Sequence, residues 1–451
     1  MKGIDENFRP FLLMWSGQLL SRLGSGISAF SLGVFLFQNT GSTAAYSMLL
    51  FTAFFPPILL TPIGGVAADR LDRRRLMIFG DLGSATGILC IVVFMMIYPM
   101  TSGSDIFYWP IYTGLALSSV FTGFHTPAFK SSVTDLLNEK QYAKASGLIQ
   151  LAEASRYLIA PIAAVYLVTN LSLAVVLIVD ICTYILAALT TVLVRRQLTF
   201  TKAGTIPLKN GAYRTGHRNA FLKNSFHDIS EGFRYIRSKK ETLQLLYLTT
   251  LITFCTGVLQ TLFAPILLSI SDAKTLGTVQ SIASSGMVIT SLLISFTGKT
   301  ERQEKILILS LSAMAFLFVC IGASRTAFLL MVFSFALYAA LPFVNTSLEV
   351  LFRSRVDNQL QGRAWSLISL ISQIGMLTAF LVTGFLADHI FEPLFLESGM
   401  WADSLGRLLG TGPSRGSGFM VIIVGFILLI VSIIRKLELH NTHYLRSGKS
   451  A

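Results

Sequence analysis

Apolar residues fill this chain in runs of about 20 to 25, and a run of about 20 is what one helical crossing of a bilayer's hydrocarbon core requires. The runs fall near 10–37, 44–68, 76–98, 108–128, 146–168 and 172–194, and again near 243–270, 276–297, 305–323, 327–350, 364–387 and 417–434. The stretch from Arg195 to Thr242 is the one long polar interruption, and it divides the runs into two sets of six. The pattern predicts an all-α membrane protein with twelve transmembrane helices in two pseudo-symmetric six-helix bundles, at 1–194 and 243–451. A cytoplasmic linker at 195–242 joins them, and within it Phe226, Ile229, Phe233 and Ile236 recur at helical spacing among basic residues. That spacing predicts an amphipathic helix lying on an anionic membrane surface.

Composition agrees. Of 451 residues, 53% are hydrophobic and only 13% charged, against about 25% charged in an average soluble domain. The formal net charge of +13 would fit a nucleic-acid partner only if the basic residues formed a patch, and they do not. About 30 of the 36 Lys and Arg fall on alternate loops and the tail, against Lys274, Arg325, Arg407 and Arg415 on the other face, with Arg22 and Arg156 inside runs. This is the positive-inside pattern of a multi-pass protein of the cell membrane with both termini in the cytoplasm. Cys90, Cys182, Cys255 and Cys320 each stand alone in an apolar run, so neither a disulfide nor a metal site is implied. Met1–Arg9 is polar and no small-residue cleavage site follows the first run, which is therefore expected to be an uncleaved span.

The most specific stretch is GGVAADRLDRRR, residues 64–75, between the second and third runs. Its charges exclude it from hydrocarbon, so it must be a tight loop at the membrane face. Gly65 is expected to let two helices approach closely. Asp69 is expected to meet both the exposed N–H groups of the next helix and the cluster Arg70, Arg73 and Arg74, forming a charged latch. Asp81, a turn or so further on in MIFGDLGSATG, is expected to be a structural partner of that cluster, and Gly83 and Gly87 to form a close-packing face.

The order Gly65, Asp69, Arg70, Arg73, Arg74 resembles the loop between the second and third spans of major facilitator superfamily transporters, with Asp72 where that family usually has a second glycine. ADRLDRRRLMI, FHTPAF at 124–129, LIVDICTYILAA around Asp180 and GRAWSLIS at 362–369 are similar to segments of its drug-exporting, macrolide-efflux branch. Two departures weaken the parallel with proton-coupled members. Ser118 stands where an arginine is often found in the fourth span, and the antiporter signature of the fifth span is reduced to Ala160-Pro161 followed by Ala163-Ala164.

Ionisable residues inside spans are costly, about 2.5–3.5 kcal/mol each on insertion scales, and each is therefore a functional candidate. Arg22 lies near the middle of the first run, Glu153 and Arg156 are three residues apart in the fifth and are expected to neutralise each other, and Asp180 is central in the sixth. A carboxyl placed like Asp180 suits a group that takes up and releases a proton. Spans of the second half hold amides and aromatics instead, among them Gln260, Gln280, Asn345, Gln373, Phe254, Phe263, Phe343 and Trp365, as suits the wall of an apolar cavity.

No His-rich metal set or nucleophile motif points to an enzyme, and GKT at 298–300 lacks the glycine of a phosphate loop because Leu293 stands there. The glycine-rich end of the long outer loop 388–416 reads as a flexible connector. The resemblance implies a monomeric secondary transporter without cofactor, exporting amphipathic drug-like or secondary-metabolite molecules by proton antiport. Arg22, Glu153, Arg156 and Asp180 would handle protons or substrate, and the latch would bias the alternating cavity. Uptake, or siderophore or lipid movement, by the same fold is the alternative.

Overall fold

The computed structural model describes residues 8–97, 108–137, 139–202, 237–297, 303–356 and 361–447, and among these it contains helices and turns but no strand. The chain divides into two compact units, Met1–Arg214 and Thr215–Ala451. The division falls within 203–236, so the expected amphipathic segment with Phe226, Ile229, Phe233 and Ile236 lies outside the described residues.

The first unit contains α1 (Phe8–Thr40), α2 (Thr43–Arg70), α3 (Arg73–Ile97), α4 (Trp109–Leu136), α5 (Glu139–Leu158), α6 (Ala160–Asn170) and α7 (Leu173–Lys202). The second contains α8 (Lys240–Ile270), α9 (Ala273–Thr297), α10 (Gln303–Ala323), α11 (Ala327–Arg355), α12 (Gln361–Leu386) and α13 (Arg415–Ser447). Among the described residues ten helices are long and apolar enough to cross a membrane, and α5 with α6 makes an eleventh span, bent by 42°. α4, at 28 residues, has the length of a crossing but carries Ser118, Ser119, Thr122, His125 and Thr126 along it.

Local chemistry explains where the helices stop. Gly41, at φ +64°, takes the left-handed position after α1, and the Ser42 side chain then accepts from Ala45 N at 3.1 Å to cap α2. Between α5 and α6 the break falls at Ile159, because Pro161 has no N–H to continue the ladder.

The units carry apolar residues on their surface as well as in their core. On α3, Phe79, Leu82, Leu89, Val93 and Met96 are exposed, as lipid-facing residues must be, while Asp81 and Ser84 are buried. Backbones meet at small residues. A Cβ on Gly87 would collide with Gly114 and Ser118 of α4, one on Gly83 with Phe121, and one on Gly17 with Thr190 of α7.

The same helix pairs pack in both units. α2 lies on α4, α3 on α4 and α7, and α1 on α5, α6 and α7; correspondingly, α9 lies on α11, α10 on α11 and α13, and α8 on α12 and α13. This is a repeated six-span unit, with the α5–α6 pair counted as one span.

The long loop 388–416 is packed, not the flexible connector expected from its glycines. A π-helical turn (Ala387–Phe391) leads into the short helix Glu392–Phe395, and the rings of Phe395, Trp401 and Phe419 cluster at centroid distances of 5.3–5.8 Å. Glu392 accepts from Ser417 N at 2.9 Å, capping the start of α13. Glycine content misled here because the aromatic residues that anchor the loop are spread over 25 positions of sequence.

Candidate functional site

Most of the candidate residues of the first unit gather around a cavity of about 110 Å³ bounded by α1, α2, α3, α4, α5 and α7. α1 supplies Gln18, Ser21, Arg22, Ser25 and Ser28, spaced at three and four residues, so one face of this helix is a stripe of amide, hydroxyl and guanidinium groups. Only Arg22 of this stripe was singled out from the sequence; the serines were legible as a helical period but were lost among the many serines of the chain.

Asp180 on α7 enters because Gly24 of α1 has no side chain: a Cβ there would lie 2.8 Å from Asp180 Oδ1. Asp180 Oδ1 is 3.4 Å from the Thr183 hydroxyl, and its Oδ2 is buried with no hydrogen-bond partner among the described residues. Beside it, Ser25 donates to Tyr184 Oη at 2.9 Å.

Arg22 and Glu153 form an ion pair across α1 and α5. This corrects the expectation that Glu153 and Arg156 neutralise each other: Glu153 turns to Arg22, and Arg156 lines the cavity with Asp180. Spacing along one helix allowed the first pairing, and the approach of α1 decided for the second. Trp15 Nε1, donating to Leu148 O at 2.7 Å, holds the two helices at that distance. The Arg22 guanidinium also lies 6.0 Å from the Phe129 ring centroid.

Asp81 is a second correction. It belongs to the cavity and not to the arginine latch: Gln18 Nε2 donates to its Oδ2 at 3.1 Å, and His125 Nε2 of α4 lies 3.3 Å from its Oδ1. Asp81, His125 and Asp180 are only 2%, 7% and 1% exposed. His125, set aside in the sequence as lying at a span end, is a member of this site.

The latch itself is rebuilt by the structure. The side chains of Asp69 and Arg70 lie outside what is described. The carboxylate that meets the start of α3 is Asp72, accepting from Arg74 N at 3.1 Å and from Arg195 Nε of α7 at 2.9 Å. Burial pushes the Asp72 carboxyl up, but the Arg195 hydrogen bond, the Arg74 amide and the guanidinium charges of Arg195 and Arg74 outweigh it and hold it below the ordinary value of 3.8. Arg73 donates to Ser131 O at 2.6 Å and to Asp135 Oδ1 at 3.0 Å, both on α4. Gly65 is not the point of close approach: a Cβ there would meet nothing within 4 Å, whereas one on Gly64 would collide with the Gly123 carbonyl of α4.

In the second unit a pocket of about 470 Å³ is lined by Thr249, Asn345, Glu349, Phe352, Ser369 and Ser372 of α8, α11 and α12. Of the amides and aromatics named from the sequence, Asn345 lines it; the Trp365 side chain lies outside the described residues. The two volumes call for different occupants. Drug-sized ligands need about 300–1,000 Å³, whereas a water takes about 30 Å³. The first cavity has room for a few waters, and the second pocket is of cargo size. Among the described residues no group of three or more His, Cys, Asp or Glu is placed to hold a metal ion.

A repeated helical unit of long apolar helices with buried carboxyls is an architecture of membrane transporters. The family model described as Major Facilitator Superfamily matches residues 14–272, and the chain belongs to that superfamily. Macrolide efflux protein A of Streptococcus pyogenes is 27% identical over 405 residues, 86% of this chain and 92% of that protein. A protein of the same name from Enterococcus faecalis is 26% identical over 74% of this chain and 98% of its own. Among solved structures, the POT family transporter PepTSo is similar with a TM-score of 0.68 at 12% identity, covering 97% of this chain and 98% of that one, a likeness that shows the fold.

Proposed function

We propose that this transporter exports amphipathic drug-like molecules, macrolides among them, from the cytoplasm across the cell membrane in exchange for protons. The relatives named macrolide efflux protein A cover most of the chain and support the cargo class. The observation that carries the coupling is the first cavity: it is too small for cargo, yet it holds the buried carboxyl of Asp180. In this reading Asp180 and Glu153 take up and release the protons. Protonation of Glu153 frees Arg22 from its ion pair, and Arg156 supplies the counter-charge to an ionised Asp180. The cargo rests against the second unit near Asn345, and the protein works as a monomer with both termini inside. The latch, comprising Gly65, Asp69, Arg70, Arg73 and Arg74 and joined by Asp72, stabilises one of the two orientations of the transport cycle.

A susceptibility and dye-efflux panel in cells expressing the protein, with and without a protonophore, tests this. The expected result is raised macrolide tolerance and efflux that the protonophore abolishes. Accumulation unchanged by expression for every compound would move the reading to uptake or lipid transport. Export that survives the protonophore would remove the proton.

A further inference from the structure

The carboxyl proposed above for proton exchange occupies one end of its cavity, and a second buried acid with a histidine occupies the other. Along α1, Gln18 marks the level of Asp81 and Gly24 to Ser28 the level of Asp180. Seven residues of helix separate Gln18 from Ser25, about 10 Å of rise. Between the two levels the wall is hydroxyl-rich: Ser21 and Ser25 on α1, Tyr184 on α7, and Ser84 on α3, which donates to Ser118 O at 3.0 Å. Four buried polar atoms of the cavity lining, Arg22 Nε, Ser28 Oγ, His125 Nε2 and Asp180 Oδ2, make no hydrogen bond of good geometry among the described residues, although His125 Nε2 lies 3.3 Å from Asp81 Oδ1 and the Ser28 hydroxyl is beside Asp180. Buried polar atoms are rarely left so, and a space of this volume lined by them is one that water fills.

We propose that Asp81 and His125 form a second proton-carrying station, at the latch end of the cavity, connected to Asp180 through water held against the hydroxyl stripe of α1. The coupling proton then crosses the first unit by way of both carboxyls. This rests on the antiport reading above and adds its path. A proton leaving the Asp180 carboxyl passes to a cavity water, which gives one of its own to the Asp81 carboxylate or to His125 Nε2. One O–H bond breaks, one O–H or N–H bond forms, and water is regenerated, so no other reactant is needed.

The charged and titratable groups facing the station from neighbouring elements are Arg22 of α1, His125 of α4, Asp180 and Tyr184 of α7, and Arg156 of α5; the α2 residue at the cavity is Ala53. Arg22 is held by Glu153, and its charge reaches both Asp81 and His125. Release of Arg22 would therefore be felt at the station, which couples the ion pair to the path. Gln18 donates to Asp81 from α1 and keeps the carboxyl turned into the cavity.

Purified full-length protein in proteoliposomes, with tritiated erythromycin as probe, tests the path. Three quantities are measured: accumulation driven by a pH gradient, counterflow without a gradient, and the pH profile of binding. Asp81→Asn and His125→Gln are each expected to lower gradient-driven accumulation at least tenfold, to keep counterflow within about twofold of wild type, and to flatten the pH profile. Asp81→Glu, which keeps a titratable group, is expected to recover gradient-driven accumulation, and with H125Q it carries the test if D81N does not fold. Wild-type accumulation and pH profile in the variants would overturn the station. So would counterflow lost in parallel with accumulation, because that assigns Asp81 and His125 to packing or to cargo. A wild-type protein indifferent to the gradient would instead overturn the antiport reading, whatever the variants do.

Discussion

The two units build the same bridge with opposite signs. In the first, Arg73 at the start of α3 pairs with Asp135 in the last turn of α4. In the second, Glu304 at the start of α10 pairs with Arg355 at the end of α11. A helix N-terminus favours anions and a C-terminus cations, by about 0.3–1 kcal/mol each. Both charges of the second bridge therefore stand where the helix dipole stabilises them, and both charges of the first stand where it does not. Asp72, placed directly before three arginines, offsets part of that cost as a cap. The second unit follows the rules of helix stability at this face, while the first departs from them. The same unit holds the buried carboxyls and the small hydroxyl-lined cavity, whereas the second keeps its charge near helix ends and presents a pocket of cargo size. Departures from local stability rules concentrate where a protein works.

The comparison can be broken most severely at the acid itself. Asp180→Asn is expected to reduce gradient-driven export at least tenfold, whereas Asn345→Ala in the second unit should alter the half-saturating cargo concentration and spare the response to the gradient; vesicle transport assays at two gradients separate these outcomes. Equal gradient sensitivity in both variants would erase the division between the units.

Next in size is packing at the latch. Gly64→Ala should destabilise by about 1–3 kcal/mol through overpacking against Gly123. Gly65→Ala should be neutral or stabilising by up to about 1 kcal/mol, since it meets open space and alanine favours the helix. Thermal unfolding in detergent distinguishes them, and the reverse order would restore Gly65 as the contact.

Exchanging the charges of the first bridge, Arg73→Glu with Asp135→Arg, should raise stability by on the order of 1 kcal/mol or less while slowing transport. The same exchange at Glu304 and Arg355 should lower stability by a similar amount, both figures limited by partial exposure of the carboxylates. Melting of the four single and two double variants measures this, and a stability gain in the second unit would remove the contrast.

The smallest expected effect is in pH. The folded Asp72 carboxyl sits below its ordinary value, so its contribution is complete above pH 3.8 and disappears as pH falls through the depressed value. The melting difference between wild type and Asp72→Asn should stay constant from pH 8 to about 5 and shrink only in strong acid. A difference that vanished near neutrality would mean that Asp72 is not held by the arginines.

Hydropathy carried the fold, because a bilayer forces every crossing to be one long apolar helix. It set the spans and their grouping by six, and it marked Asp180 and Arg22 as costly residues in need of company. The company itself was not legible. Glu153 has a partner three residues away in sequence and another on α1, 131 positions distant, and only the docking of helices chooses between them. Asp81 was assigned to the arginines by proximity along the chain, yet helical rotation turns it away from them toward Gln18 and His125. Asp72 stands where the family pattern has a glycine, so the pattern gives no sign of the cap that it forms on α3.

The bend at Ile159 has a mechanical meaning. Because the ladder is interrupted there, the segment with Glu153 and Arg156 meets the segment that follows Ile159 at a bend of 42° and not as a continuous rod. On the antiport reading proposed above, the segment holding Glu153, tied to Arg22, is expected to follow α1 about this bend. On that reading, protonation of Glu153 is expected to act on the bend from less than two turns of helix away.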